Sequence, residues 1–210
     1  KSWLRVYDAP INGQKYFAGL DCASGRARDA QALCVLDWEG NVAAVGRFFL
    51  EGHRLASVVC RACSYFGAWA LIEAQWSAHV VPYLRGGVRL SVPGVPQTEL
   101  DILAMVQRWR FDVEATSERS RTEIVGGAIE LAEAVGVQDE ALWQELRALR
   151  RNDKGKIAAG PGAWDDLVSA YGLAERLRLR NLARVVGGRR QVRVGQERRK
   201  VGGIRRAAGR

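Results

Sequence analysis

The chain has 210 residues, of which 48% are hydrophobic, and its formal net charge is +9. This length and composition are enough for one sizeable globular domain with a hydrophobic core. The sequence contains no run of about 18 apolar residues and no signal-peptide pattern, which argues against a membrane-spanning or secreted protein.

Positive charge is concentrated towards the C-terminus. Residues 176–210 contain 13 Arg or Lys and one acid, so they carry +12, and the first 175 residues carry 9 − 12 = −3. A strongly basic segment favours a polyanionic partner, and a solvated tail without a partner is the alternative. We assign residues 187–210 to a basic tail rich in Gly and Arg.

The cysteines Cys22, Cys34, Cys60 and Cys63 do not form a recognisable metal or disulfide pattern. Cys60 and Cys63 make a single C-x-x-C pair, whereas a structural zinc site usually needs four ligands. On a helix such residues share a face, so we expect packed thiols. The lack of a disulfide framework favours an intracellular protein.

The hydrophobic periodicity predicts alternating strands and helices from residue 15 onward, after a linker or edge segment at residues 1–14. Short turns join the first three strands, which favours an antiparallel meander. The order of elements is typical of an α/β fold with a mixed central sheet flanked by helices. The predicted strands are 16–21, 31–38, 42–50, 69–72, 88–92 and 156–159, and the predicted helices are 53–66, 76–84, 100–109, 120–134, 139–150 and one that starts at 165.

Acidic residues stand at the ends of several predicted elements. Asp21 ends the first core strand, Glu73 ends the fourth, and Asp165 and Asp166 open the last helix after a Gly-Pro-Gly loop. If the first and fourth of these strands are neighbours, the four acids converge on one edge of the sheet. Clustered carboxylates repel one another, and a divalent cation removes that penalty.

Ligands that are all oxygen favour Mg²⁺ or Mn²⁺ over zinc. Two such ions, roughly 3.5–4 Å apart, can activate water and stabilise the leaving oxygen of a phosphodiester, so the pattern indicates a nuclease. Each acid also has a purely structural explanation when taken alone. Asp165 could cap its helix, Glu73 could be a solvated acid at a strand end, and Asp21 could lie in a polar turn.

Four stretches resemble the nuclease domain of the large terminase subunit of tailed bacteriophages, which has a ribonuclease H-like fold. The similarity covers about residues 15–180, within a predicted domain of residues 15–186. The last stretch is the most specific and the third the least. The stretches are YFAGLDCASGRARDAQALCVLDWEGNV (16–42), WALIEAQWSAHVVPYL (69–84), FDVEATSERSRTEIVGGAIELA (111–132) and LWQELRALRRNDKGKIAAGPGAWDDLVSAYGLA (142–174).

The resemblance implies a metal-dependent endonuclease that cuts double-stranded concatemeric viral DNA with little sequence specificity. By the same resemblance, Asp21, Glu73, Asp165 and Asp166 would be the catalytic residues and would hold two Mg²⁺ or Mn²⁺ ions, with Asp166 favoured as the main ligand of the pair. Arg121 stands where the family often has a lysine, and Trp164 where it often has a histidine, which leaves the contacts with the substrate open.

The resemblance also implies partners. No G-x-x-x-x-G-K-[ST] phosphate loop occurs, so the packaging ATPase domain of a terminase is expected to be a partner rather than part of this chain. The portal and the small terminase subunit are further expected partners, and the cytoplasm of the infected bacterial host is the expected location.

Several basic residues are candidates for contacts with DNA phosphates, because a nuclease of low specificity needs backbone contacts more than base contacts. A solvated role for the loop arginines, and docking of the tail on the portal or the ATPase domain, are the alternatives. The candidates are Arg26, Arg28, Lys154, Lys156, Arg189 and Arg190.

Three other functions fit parts of the sequence. GLDCASG (residues 19–25) is faintly similar to the first phosphate loop of actin-like and sugar kinases, but a second such loop is missing. Another ribonuclease H-like enzyme, of the resolvase or integrase type, would share the fold. A non-catalytic DNA-binding packaging module would not need to retain all four acids.

Overall fold

The computed structural model describes residues 1–22, 30–75, 77–85, 111–115, 117–151 and 157–202, with the backbone alone beyond residue 184. The chain divides into two compact units, residues 1–177 and residues 178–210. The first unit contains the sheet and the acidic residues. The second unit is helical as far as Gly202.

The first unit is built on a six-stranded mixed sheet whose strand order is β1-β4-β3-β2-β5-β6. Strands β2, β3 and β4 form the predicted antiparallel meander, and β5 and β6 continue the sheet parallel to β2. The strands of this sheet are β1 (Trp3–Val6), β2 (Phe17–Asp21), β3 (Gln31–Leu36), β4 (Val42–Phe48), β5 (Trp69–Glu73) and β6 (Phe111–Glu114).

Helices cover the sheet on both faces, and a separate two-stranded hairpin lies outside it. The helices are α1 (Gly52–Phe66), α2 (Val81–Leu84), α3 (Glu118–Val135), α4 (Glu140–Ala148) and α5 (Asp166–Gly202), with one 3₁₀ turn at Ser77–His79. The hairpin strands are β7 (Leu149–Arg151) and β8 (Ile157–Ala159).

Alternation along the strands separates the core into two sides. Ala18 and Leu20 of β2 belong to the apolar cluster formed with α1. Phe17 of β2 and Leu71 of β5 pack instead with residues of α3 and α5. Residues at odd positions of these two strands therefore face α5.

Helix α5 packs directly on strand β2 because Gly19 has no side chain. A Cβ atom at Gly19 would lie 2.0 Å from the carbonyl oxygen of Ala170 and 2.5 Å from the amide nitrogen of Ala174. Both of those atoms belong to the backbone of α5, so a side chain cannot be accommodated by a change of rotamer. The contact brings the first turns of α5 against the strand that ends in Asp21.

The edge strand β1 is anchored by a buried acid. Asp139, which is fully buried, caps α4 by accepting a hydrogen bond from the amide of Leu142 at 2.8 Å. Its other oxygen accepts hydrogen bonds from Tyr7 at 2.5 Å and from Arg5 at 3.0 Å. The predicted segment 1–14 therefore contains an edge strand that is tied to α4 as well as paired with β4.

Some predicted elements differ from the structure. In place of the predicted helix 76–84 the chain forms a 3₁₀ turn followed by the short helix α2, which has Pro82 in its first turn. Helix α3 begins at Glu118 and not at residue 120 as predicted, because Ser117 and Ser120 form a capping box at that point. Strand β6 was not predicted. The strand at 156–159 is β8, which pairs with β7 and not with the main sheet.

Other predictions stay untested or are confirmed. The strand at 88–92 and the helix at 100–109 lie outside the described residues. The predicted last helix is present, and its apolar residues Leu167, Val168, Tyr171, Ala174 and Leu177 are buried. Helix α5 continues past residue 186, so the boundary of the basic tail stays a prediction. In the described part of the chain, no helix has the length and apolar character of a membrane span.

All four cysteines are buried free thiols, as the sequence predicted. Cys60 and Cys63 pack in the cluster between the sheet and α1. Burial raises the pKa of the Cys60 thiol to about 12. Thiols in such surroundings stay protonated and unreactive at neutral pH.

We expect Gly19→Ala to destabilise the protein by about 1–3 kcal/mol, because the methyl group must displace the backbone of α5. The matched control is Gly126→Ala, on the open side of α3, where an added Cβ meets nothing within 4 Å. That change should stabilise the protein by about 0.5–1 kcal/mol through the better helix propensity of alanine. Urea unfolding monitored by circular dichroism measures both, and equal effects of the two substitutions would contradict the close contact.

Candidate metal centre

The topology brings two of the predicted acids to the same end of the sheet. Asp21 is the last residue of β2 and Glu73 the last residue of β5. These strands are parallel neighbours, with Leu20 opposite Ile72, so the two acids follow in register. Both occupy odd positions and therefore face α5, and each is 9% exposed.

The carboxyl group of Glu73 lies close enough to Asp21 to act on it through its charge and through hydrogen bonding. Burial raises the pKa of Asp21 well above its usual value, and the neighbouring charges of Glu73 and Asp166 raise it further. The positive charge of Arg121 acts in the opposite direction. Burial and nearby negative charge both disfavour the ionised form of Asp21.

The acid pair at the start of α5 is divided between two roles. Asp166 is the first residue of α5, and its charge acts on Asp21. Asp165 accepts a hydrogen bond from Arg121 of α3 at 2.8 Å. Arg121 also lies within the electrostatic influence of Asp21 and Glu73, whose charges help to raise its pKa against the opposing effect of burial.

The N-terminus of α5 is capped by a residue from another helix. Glu145 of α4 accepts hydrogen bonds from the amides of Leu167 at 2.8 Å and Val168 at 3.2 Å. The side chain of Asp165 bonds to Arg121, although its carbonyl accepts the amide of Ser169 at 2.9 Å. The side-chain cap of α5 therefore comes from Glu145, whereas the side chain of Asp165 forms an ion pair with Arg121.

A third acid at a strand end was missed by sequence reasoning. Glu114 ends β6 directly beside Glu73, because β6 runs parallel to β5. Arg176 of α5 forms an ion pair with Glu114 at 2.7 Å and a second one with Glu123 at 3.1 Å. Glu114 is the last residue of the segment FDVE, and it would have been identified as a strand-end acid if that short segment had been predicted as a strand.

The donor set of Asp21, Glu73 and Asp166 consists of carboxylate oxygens only, which is the chemistry that Mg²⁺ and Mn²⁺ prefer. The described residues contain no group of three His, Cys, Asp or Glu side chains already arranged to hold an ion. Glu73 acts on Asp21 at short range, and Asp165 bonds to Arg121. Ion binding therefore requires these carboxylates to exchange present partners for a cation.

The predicted site residues thus fall into two groups. The structure brings Asp21 and Glu73 together beside Asp166, and it places Asp165 on Arg121 next to them. The predicted DNA-binding residues Arg26, Arg28, Lys154 and Lys156 lie outside the described residues, as do the side chains of Arg189 and Arg190. Their roles stay predictions.

Comparison with solved structures finds nuclease domains of phage large terminases. The large terminase nuclease from thermophilic phage G20c superimposes with a TM-score of 0.60 and 20% identity, covering 81% of this chain and 86% of that one. The same nuclease with bound magnesium gives 0.57 and 18%, covering 82% and 86%. The large terminase nuclease domain of Thermus phage P74-26 gives 0.57 and 17%, covering 81% and 83%.

The comparisons confirm the predicted fold. The chain has the ribonuclease H-like α/β fold of these terminase nuclease domains, with a mixed six-stranded sheet flanked by helices. No protein-family model matches the chain. No curated protein matches it either. The likeness therefore rests on structure, and at these identities it concerns the fold.

We expect Asp21→Asn to stabilise the protein at neutral pH in the presence of EDTA. A buried acid with a raised pKa binds its proton more tightly in the folded state, so the stability of the parent falls as pH rises above the unfolded value of about 3.9. The side-chain amide of the asparagine cannot ionise, so the stability of the variant does not fall with rising pH for this reason. The difference should be large at about pH 8 and should vanish near pH 4.

Thermal unfolding of parent and variant at the two pH values measures this effect. Asp112→Asn, which neutralises an exposed acid in β6, is the matched control and should change the midpoint little at either pH. A variant at Asp21 that is less stable than the parent at both pH values would show that the carboxylate is ionised without penalty in the fold.

Proposed function

We propose that this protein is a divalent-metal-dependent endonuclease of the phage terminase type, which cuts double-stranded DNA with little sequence preference. The observation that supports this most is the meeting of Asp21, Glu73 and Asp166 at one end of the sheet. These acids come from positions 52 and 93 residues apart along the chain, since 73 − 21 = 52 and 166 − 73 = 93. A purely structural role does not require three carboxylates to converge at a buried site.

Asp21, Glu73 and Asp166 would hold the metal, and Asp165 would help with a second ion. Two bound Mg²⁺ or Mn²⁺ ions would supply a nucleophilic water and would stabilise the leaving oxygen of a phosphodiester. Arg121 keeps Asp165 beside the centre through their ion pair. Its positive charge also lowers the repulsion among the carboxylates, which supports a compact acidic cluster.

The proposed substrate is concatemeric viral DNA, recognised mainly through its phosphates. Arg26 and Arg28 follow Asp21 within a few residues, and Lys154 and Lys156 precede Asp165, so both pairs are close in sequence to the proposed centre. Arg189 and Arg190 belong to the basic C-terminal stretch. Contacts of this kind provide affinity and register but no base specificity.

The proposed setting is a packaging motor in the cytoplasm of an infected bacterial host. The ATPase domain of the terminase, the portal and the small terminase subunit are the proposed protein partners. This part of the proposal rests on the likeness in fold to terminase nuclease domains of two phages.

We expect the protein to nick and linearise supercoiled plasmid in Mg²⁺ or Mn²⁺ and to be inactive in EDTA. Asp21→Asn and Asp166→Asn should fold but lose cleavage to the level of the EDTA reaction, because each removes a proposed ligand oxygen. Asp112→Asn, with its exposed acid, should cut like the parent. Gel analysis of plasmid forms over time gives the rates.

Two results would contradict the assignment in different ways. Cleavage by both ligand variants at the parental rate would exclude these acids from the reaction. Strong preference for four-way junctions over linear duplex would favour an enzyme of the resolvase type with the same fold.

We expect removal of residues 187–210 to weaken binding to duplex DNA and to flatten its salt dependence. The segment carries nine Arg or Lys and one acid, a net charge of 9 − 1 = +8, and each phosphate contact adds about 0.9 to the slope of log K against log salt. A full-length variant with these nine residues changed to Gln separates charge from length. Fluorescence anisotropy with labelled duplex DNA measures the affinity and its salt dependence for each variant. An unchanged slope would assign the tail to a protein partner.

A further inference from the structure

The first turn of α5 is held by a tertiary cap that the proposed reaction does not itself use. Glu145 reaches from α4 and accepts hydrogen bonds from the amides of Leu167 at 2.8 Å and Val168 at 3.2 Å. These amides belong to the two residues that follow Asp166. The amides of a first helical turn lack partners within the helix, so an outside carboxylate there fixes the position of the turn.

Glu145 is buried, with 5% of its surface exposed, and both of its carboxylate oxygens are engaged. One oxygen accepts hydrogen bonds from the amides of Leu167 and Val168, and the other accepts a hydrogen bond from Arg47 of β4. A buried carboxylate needs such a partner to offset the loss of solvent. Glu145 is therefore connected to the central sheet on one side and to α5 on the other.

Arg47 is also placed by its aromatic surroundings. Its guanidinium group lies 5.2 Å from the centre of the ring of Trp164, the residue that precedes the acid pair. The rings of Trp164 and Phe49 pack edge to face, with their centres 6.3 Å apart. Burial lowers the pKa of Arg47, while the negative charge of Asp166 acts against that effect. Arg47 therefore interacts with Glu145 through a hydrogen bond and with Asp166 through the charge of its carboxylate.

An ordinary N-cap would come from the residue just before the helix, which here is Asp165. That side chain bonds to Arg121 instead. The cap from α4 therefore keeps the first turn of α5 ordered while the side chain of Asp165 stays paired with Arg121. A glutamate that served stability alone could cap any helix end, whereas this one contacts the turn that carries Asp166.

We propose that Glu145, supported by Arg47, is a positioning residue that holds Asp166 in place for divalent-metal binding. The inference rests on the proposed function, because it needs a metal centre at Asp21, Glu73 and Asp166. Glu145 itself would not bind the ion, since its oxygens are occupied by α5 and Arg47.

The test is a Mn²⁺ titration of the folded protein, followed by electron paramagnetic resonance of the free ion. Glu145→Ala should raise the Kd for Mn²⁺ by roughly tenfold or more, as is typical when a group that orients a metal ligand is removed. Glu145→Gln, which keeps one oxygen for the amides, should give a smaller increase and guards against misfolding of the alanine variant. The number of Mn²⁺ ions bound at saturation should not change.

Two comparison variants make the result specific. Asp166→Asn removes a proposed ligand and should lower the number of ions bound, and Glu140→Gln neutralises an exposed acid on the same helix as Glu145 and should bind Mn²⁺ like the parent. Hydrogen exchange supplies a readout that needs no metal. The amides of Leu167 and Val168 should be protected in the parent and should exchange faster in both Glu145 variants.

The outcomes separate the inference from the proposed function. Folded Glu145 variants with the parental Kd for Mn²⁺ would make Glu145 a structural cap only and would overturn the inference while the metal centre stands. A parent that binds no Mn²⁺ would overturn the proposed function and the inference together. A loss of bound ions in the Glu145 variants would make Glu145 a direct ligand, which also overturns the positioning role.

Discussion

The packing of the α5 backbone against Gly19 is the constraint on which the proposed centre depends. Without a side chain at that position, the helix lies directly on β2, two residues before the strand ends in Asp21. A second close approach, where Gly172 of α5 meets the carbonyl oxygen of Ile124, sets the same helix against α3. Two glycine contacts on rigid elements therefore determine where Asp166 stands relative to the sheet.

Charge is distributed unevenly around this arrangement. The surrounding acids have arginine partners: Asp165 has Arg121, Glu145 has Arg47, and Glu114 has Arg176. Asp21 and Glu73 contact each other instead. The cost of burying an acid is therefore clearest at Asp21, whose pKa is raised by burial and by the nearby negative charges.

Much of the fold follows from local patterns in the sequence. The meander and helix α1 were predictable, because alternating and helical periodicities are visible within short windows and Gly67 ends α1 in a left-handed conformation. The inner face of α5 was predictable for the same reason. Strand β6 was not predicted because it is only four residues long, so the alternation of apolar and acidic residues in FDVE is very short.

The site was less predictable than the fold. Asp21 and Glu73 could be expected to meet once their strands were taken as neighbours, since strand ends in a parallel pair share an edge. The different roles of Asp165, which pairs with Arg121, and Asp166, which acts on Asp21, could not be predicted in the same way. They depend on Arg121, which is 44 residues away from Asp165, and on Glu145, which is 22 residues away from Leu167. Contacts over such separations have no signature in a single sequence.

The burial of every native thiol also makes the molecule a convenient host for site-specific labels. Maleimide reagents attack thiolates, and the four cysteines are enclosed in the core with pKa values raised by burial. A single cysteine introduced on the exposed surface of α3 or α4 would therefore be the reactive one without removal of the others. With one such cysteine on α3 and one on α4, paired fluorophores or spin probes could follow the distance between these two helices as an ion or a duplex is added.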